Sequence, residues 1–144
     1  MATDMTLVGK SALLVEAELF MADKISAHLN SLGVSDVFTA ATVYEALRHI
    51  ENERLDLALL NATLPNDGTT IELGWSLSSD GVAVVFYSGM YLDEVMLRAR
   101  GQEFLERPLS LPRIKAAMQR AILRAPKAPG SVAAKKMTGQ EARQ

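Results

Sequence analysis

A chain of 144 residues, 49% hydrophobic and 22% charged, is long enough to bury one core without disulfides or metals. It has no cysteine and only two histidines, His28 and His49, which excludes disulfide and thiolate chemistry and leaves no metal-ligand spacing. The formal charge of −2 hides an asymmetry: from Arg124 onward five basic residues (Arg124, Lys127, Lys135, Lys136, Arg143) face Glu141 alone, so the preceding body holds ten basic against sixteen acidic residues and has no broad nucleic-acid footprint. No window is apolar over the length that crosses a bilayer, and the start MATDMTLVGK lacks the apolar core of a signal peptide, so a cytoplasmic protein with no membrane partner is expected.

In chain order, residues 1–10 read as an N-terminal extension and SALLV from Ser11 as a first, buried strand. The first helix presents Met21, Ile25, Leu29 and Leu32 inward and stops at Gly33. DVFT is the second strand, followed by a helix with Val43, Ala46, Leu47 and Ile50 on one face and a capping box from Thr42 to Glu45. LDLALL is the third strand and ends on Asn61. The third helix lies within Thr69 to Ser79, where Gly74 costs about 1 kcal/mol relative to alanine and Trp75 is the expected anchor.

VAVVFY supplies the fourth strand, and the helix from Leu92 to Arg100 repeats Leu92, Val95, Met96 and Ala99 at helical spacing. EFL is the fifth strand. Ser110 is an N-cap candidate for a last helix that tolerates Pro112 in its first turn and buries Leu111, Ile114, Met118 and Ile122. The domain spans 11–124, and residues 125–144, rich in Ala, Pro, Gly and Lys, read as a disordered basic tail. Strands alternating with helices predict an α/β, doubly wound parallel sheet, in which the carboxyl ends of the first, third, fourth and fifth strands share one rim.

The rim positions are Glu16, Ala17 and Glu18; Asn61, with Thr63 two residues on; Ser88 and Gly89; and FLERP, from Phe104 through Arg107 to Pro108. Taken singly, Asn61 reads as an Asx-turn before Pro65, Ser88 as a strand-end hydroxyl and Phe104 as core. Taken together with the LPNDG loop after the third strand and the Ser-Gly exit from the fourth, they resemble the receiver domain of bacterial two-component response regulators, and in particular single-domain receivers, over Ser11 to about Leu123. The resemblance implies a flavodoxin-like (βα)5 fold of strand order 2-1-3-4-5. It also implies a pocket in which an acidic pair holds magnesium, an aspartate takes a phosphoryl group, a Ser or Thr and a Lys bind it, and an aromatic reports it.

Residue by residue, Glu16 retains one acid, Ser88 the hydroxyl and Phe104 the aromatic, whereas Ala17, Asn61 and Arg107 replace the second acid, the phosphoacceptor and the lysine. An amide oxygen is a poor nucleophile toward phosphorus, and one carboxylate without its neighbour is a weak magnesium site. No cofactor and no enzymatic activity are expected. Arg107 is expected to turn inward and bond Asn61 and Glu16 through its five-donor fork.

The function implied is a phosphorylation-independent receiver acting as a protein-interaction module in two-component signalling, with a histidine kinase, phosphotransferase or regulator as partner; homodimerisation stays open. The interaction face of that family maps here onto Tyr91, Leu92, Val95, Arg98, Phe104 and Arg113. The alternative is a small-molecule or nucleotide sensor using the rim crevice, against which VEAELF after the first strand offers no glycine-rich phosphate loop. Phosphorylation at a displaced acid such as Asp67 is disfavoured by its distance from the strand end.

Overall fold

The computed structural model describes residues 5–125, so the expected tail from residue 126 lies outside the described residues. In chain order the elements are β1 (Ser11–Val15), α1 (Leu19–Ser31), β2 (Asp36–Ala40), α2 (Val43–Asn52), β3 (Leu57–Asn61), β4 (Thr63–Leu64), β5 (Gly68–Thr69), α3 (Ile71–Ser79), β6 (Ala83–Tyr87), α4 (Tyr91–Ala99), β7 (Glu103–Phe104) and α5 (Leu111–Arg124). One parallel sheet runs in the order β2-β1-β3-β6-β7, and β4 and β5 form a separate hairpin inside the loop after β3. With that hairpin set aside, the order is the expected 2-1-3-4-5.

Strands covered on both faces are apolar along their whole length, and β1, β3 and β6 are buried almost end to end. Alternate side chains divide between two layers. Leu14, Leu57, Leu59, Val85 and Tyr87 pack with α1 and α5, while Leu13, Val15, Ala58, Leu60 and Phe86 pack with α2, α3 and Leu97 of α4. Residues ahead of β1 join the first layer: Leu7 is buried there, and the Gly9 amide donates to the Gly33 carbonyl at 2.9 Å.

Of the described helices only α2 has an N-cap residue whose side chain accepts a hydrogen bond; Ser110, the expected cap of α5, stands at the N-cap position in extended backbone without one. The Thr42 hydroxyl accepts from the Glu45 amide at 3.1 Å, and the Glu45 carboxylate reaches back to the Ala41 amide at 2.7 Å, a capping box displaced by one residue. Asp67 accepts from the Val43 amide at 2.8 Å, so the acid considered as a displaced phosphoacceptor caps a helix instead. The first helix buries Ala22, Ile25 and Leu29 and ends with Gly33 at φ 96°, a left-handed turn that glycine takes without strain.

Expectations change at Leu47 and Gly74, while Leu92 and Val95 stand exposed, as their place in the expected interaction face requires. Leu47 is exposed, because the stripe of α2 centres on Ala46 with Val43 and Ile50 beside it, and Leu47 lies about 100° further round. On α4 the apolar repeat is present but turned outward: Leu92 is 73%, Val95 46% and Met96 41% exposed, and Leu97 is the fully buried residue; the Ala99 side chain lies outside those described. The adjoining strand β7 has only two residues, so there is little sheet for α4 to cover. Gly74 has a packing reason that propensity does not contain, since a Cβ there would stand 2.2 Å from Phe86 Cζ.

Candidate functional site

The carboxyl ends of β1, β3 and β6 open into a crevice of about 600 Å3 lined by Glu16, Ala17, Glu18, Asn61, Thr63, Pro65, Ser88, Gly89 and Met90. Register assembles it. Val15 pairs with Leu60 and Asn61 pairs with Tyr87, so the residues that end the three strands stand side by side.

Glu16, only 7% exposed, is the centre of the first polar group. Its Oε1 accepts from the Tyr87 hydroxyl at 2.5 Å and from Asn61 Nδ2 at 3.2 Å, and its Oε2 accepts from the Glu18 amide at 3.0 Å. A buried carboxylate needs such donors to offset its desolvation. An aspartate at position 61 would set a second carboxylate against the first; the amide turns that repulsion into a hydrogen bond. The Asn61 oxygen meanwhile accepts from the Thr63 amide at 3.3 Å. Burial pushes the Tyr87 phenol well above the ordinary tyrosine range, the bond to Glu16 and its charge push it further, and Arg107 opposes them.

The second polar group centres on Asp93, in the first turn of α4. Its Oδ2 accepts from Thr63 Oγ1 at 2.5 Å and from Ser88 Oγ at 2.8 Å, and Ser88 Oγ in turn accepts from the Met90 amide at 2.9 Å. The two rim hydroxyls are thereby tied to the start of α4, where a carboxylate is favoured by the helix dipole. Thr70 closes the loop after β3 by donating to the Asn61 carbonyl at 2.9 Å.

Arg107 does not join either group. Its side chain is exposed and lies over the backbone of Gly89, with Nη2 3.3 Å from where a Cβ would be, and no hydrogen bond links it to Asn61 or Glu16. Tyr87 and Asn61 already occupy the Glu16 oxygen that the guanidinium was expected to reach. Phe104 is core, as it reads when taken singly, and is not part of an exposed interaction face. It is 4% exposed, packed among the helices of the second layer and covered by Arg98, whose guanidinium carbon is 5.5 Å from the ring centroid.

The remaining expected contact residues Tyr91, Leu92, Val95, Arg98 and Arg113 are exposed, Tyr91 by 75%. Charge is divided along the described chain: residues 5–97 carry four basic against thirteen acidic side chains, and residues 98–125 seven basic against two acidic. The second set falls on the end of α4, β7 and α5.

No family model and no curated protein matches the sequence. Solved structures do match. SdrG from Sphingomonas melonis Fr1 is 27% identical with a TM-score of 0.68, over 83% of this chain and 99% of that one. A response regulator receiver domain protein from Clostridium thermocellum is 22% identical with a TM-score of 0.67, over 80% of this chain and 95% of that one. The chain has the fold of response-regulator receiver domains. It also superposes on the anti-anti-sigma factor PhyR from Bartonella quintana at 22% identity and a TM-score of 0.69, where 82% of this chain covers 50% of that protein.

Within the receiver fold, the sequence-predicted positions Glu16, Ala17, Asn61, Thr63 and Ser88 converge on one crevice, and Arg107 stands at its edge. The donor set fits magnesium poorly: Ala17 offers no side-chain oxygen, and both Glu16 oxygens already accept hydrogen bonds. Sequence reasoning missed Tyr87 and Asp93. A tyrosine ending a buried strand beside a rim acid, and an acid in the first turn after a Ser-Gly exit, are the signals that point to them.

Proposed function

We propose that this receiver is a phosphorylation-independent docking module of two-component signalling, whose phosphoryl site has become internal polar structure and whose output is contact with a partner protein. The observation that carries the reading is the Glu16 group. The retained acid is consumed by Tyr87, Asn61 and the Glu18 amide, and the residue at the phosphoacceptor position is a donor to it rather than a nucleophile. The hydroxyl of Ser88, which would otherwise receive a phosphoryl oxygen, donates to Asp93. An internal carboxylate thus holds α4 in one arrangement, and binding uses that standing conformation or one induced by the partner. Partners of the kind implied are a histidine kinase, a phosphotransferase or another regulator, and the exposed apolar row of α4 supports contact through Tyr91, Leu92 and Val95.

Incubation with acetyl phosphate and magnesium, followed by intact mass measurement, tests the reading. The mass is expected to stay unchanged, and an adduct of one phosphoryl unit would overturn it. Asn61→Asp alone is expected to leave the mass unchanged too, because Ala17 still provides no metal ligand.

A second reading rests on the crevice, whose volume of about 600 Å3 lies in the range of small-molecule sites at the carboxyl edge of such sheets. A nucleotide or metabolite that raises the melting temperature progressively with the logarithm of its concentration would favour this sensor reading.

A further inference from the structure

At the amino edge of the sheet, where the chain enters β6 and β7, the last turns of α3 and α4 border an open groove of about 490 Å3 lined by Trp75, Ser78, Ser79, Arg100 and Gln102. Every lining side chain carries a hydrogen-bond donor, and none is a carboxylate. The Arg100 guanidinium carbon stands 4.9 Å from the centroid of the Trp75 ring. Trp75 Nε1 is buried and has no hydrogen-bond partner among the described residues. A buried donor without an acceptor is rare in folded proteins and calls for a reason. The groove thus combines an aromatic wall with an excess of donors.

We infer that this groove receives the chain's own proline segment, Pro126 to Pro129, as an intramolecular clasp that ties the end of α5 to α3 and α4. Three observations select this occupant. First, α5 ends at the border of the groove: Arg124 donates through Nη1 to the Gly101 carbonyl, and Gly101 lies between Arg100 and Gln102, which both line it. Second, the chain leaves α5 at Ala125 with φ −64° and ψ 143°, the polyproline II region into which a proline drives the residue before it. Third, the residues that follow, Pro126, Lys127, Ala128 and Pro129, place two prolines three apart, the spacing that shares one face of a polyproline II helix. Such a segment makes no internal hydrogen bonds and its prolines have no N–H, so its carbonyls need donors and its rings an aromatic surface. The groove supplies both. In the docked state a proline ring packs on Trp75, the indole N–H gains a carbonyl acceptor, and Arg100 turns from the ring to a second carbonyl. This face is separate from the crevice and from the outward row of α4, and the inference does not depend on the inert phosphoryl site.

Trp75 is the only tryptophan of the chain, so its fluorescence and its single indole N–H resonance report on this groove alone. Both are measured on the full chain and on the double variant Pro126→Ala/Pro129→Ala, whose substitutions lie beyond α5; circular dichroism checks that the variant folds. In the full chain the indole proton is expected to exchange slowly and acrylamide to quench the fluorescence weakly. In the double variant the indole resonance should shift, quenching should strengthen, and exchange of the indole proton should accelerate by on the order of tenfold or more. A peptide of residues 125–131 added to the double variant should restore the wild-type resonance, and the same peptide with both prolines replaced by alanine should not. An indole resonance and quenching that the double variant leaves unchanged would overturn the proposal. If the resonance ignores the double variant yet moves with an added unrelated proline-rich peptide, the groove belongs to a partner's segment and the intramolecular occupant is overturned. Shielding of Trp75 that disappears on dilution, together with a dimer in sedimentation, would assign the segment to the groove of a second copy and overturn the proposal equally.

Discussion

Glu16 brings a carboxylate to a position only 7% exposed, and three donors converge on it. Removing one donor leaves part of a buried charge uncompensated, which costs more than the same bond contributes at a surface. Tyr87→Phe removes the 2.5 Å donor with almost no change in volume and should destabilise the domain by about 1.5–3 kcal/mol at neutral pH in urea denaturation. The pH dependence has a definite sign. Because the folded state holds the Tyr87 phenol above its ordinary value of 10.0, the folded state binds the proton more tightly than the unfolded one. This contribution is complete below that value and is lost as the pH rises above it. The stability advantage of the wild type over Tyr87→Phe should therefore be constant near neutrality and shrink above about pH 10. Arg107→Ala, at an exposed side chain with no hydrogen bond or ion pair among the described residues, should change stability by less than about 0.5 kcal/mol. A loss of several kcal/mol on that substitution would return Arg107 to the buried network.

At the scale of elements, sequence rules and tertiary packing disagree most clearly on α3 and α4. Helix propensity alone makes Gly74 a weak point of α3 that alanine should improve by about 1 kcal/mol. The structure reverses the sign, since a methyl group there would meet Phe86 Cζ at 2.2 Å and Cε1 at 2.7 Å. Gly74→Ala should instead destabilise by roughly 1–3 kcal/mol as α3 and the Phe86 ring move apart, measured as a lower urea midpoint at unchanged slope. A stabilised variant would show that the helix shifts freely over β6. On α4 the period of the apolar residues is helical as expected, but periodicity fixes only which residues share a face and not which way that face points. Leu97 meets the core and the row of Leu92, Val95 and Met96 faces outward, which is how a helix over a two-residue strand comes to present an apolar surface.

For the whole molecule, the filled hydrogen-bonding shell of Glu16 and the division of charge have separate consequences. A ligand that binds the folded state raises its stability by mass action, so millimolar magnesium should leave the melting temperature of this chain where it is, and a clear upward shift would show that Glu16 gives up its donors to a metal. The sequence by itself determined the fold class and the rim positions Glu16, Ala17, Asn61, Thr63 and Ser88, while the strand order was implied only by the resemblance to receiver domains. Buried parallel strands must be apolar throughout, and strand-end residues in a doubly wound sheet share one rim. Only the tertiary structure decided the partners within that rim. Tyr87 ends β6 opposite Asn61 by register, and Asp93 reaches two strand ends at once from the first turn of α4, arrangements set by three-dimensional packing and not by any local spacing. The same holds for Arg107. Its donor fork suits the Glu16 carboxylate chemically, but the carboxylate oxygens were already taken by nearer, better-buried donors, and the guanidinium went to the open groove beside Gly89.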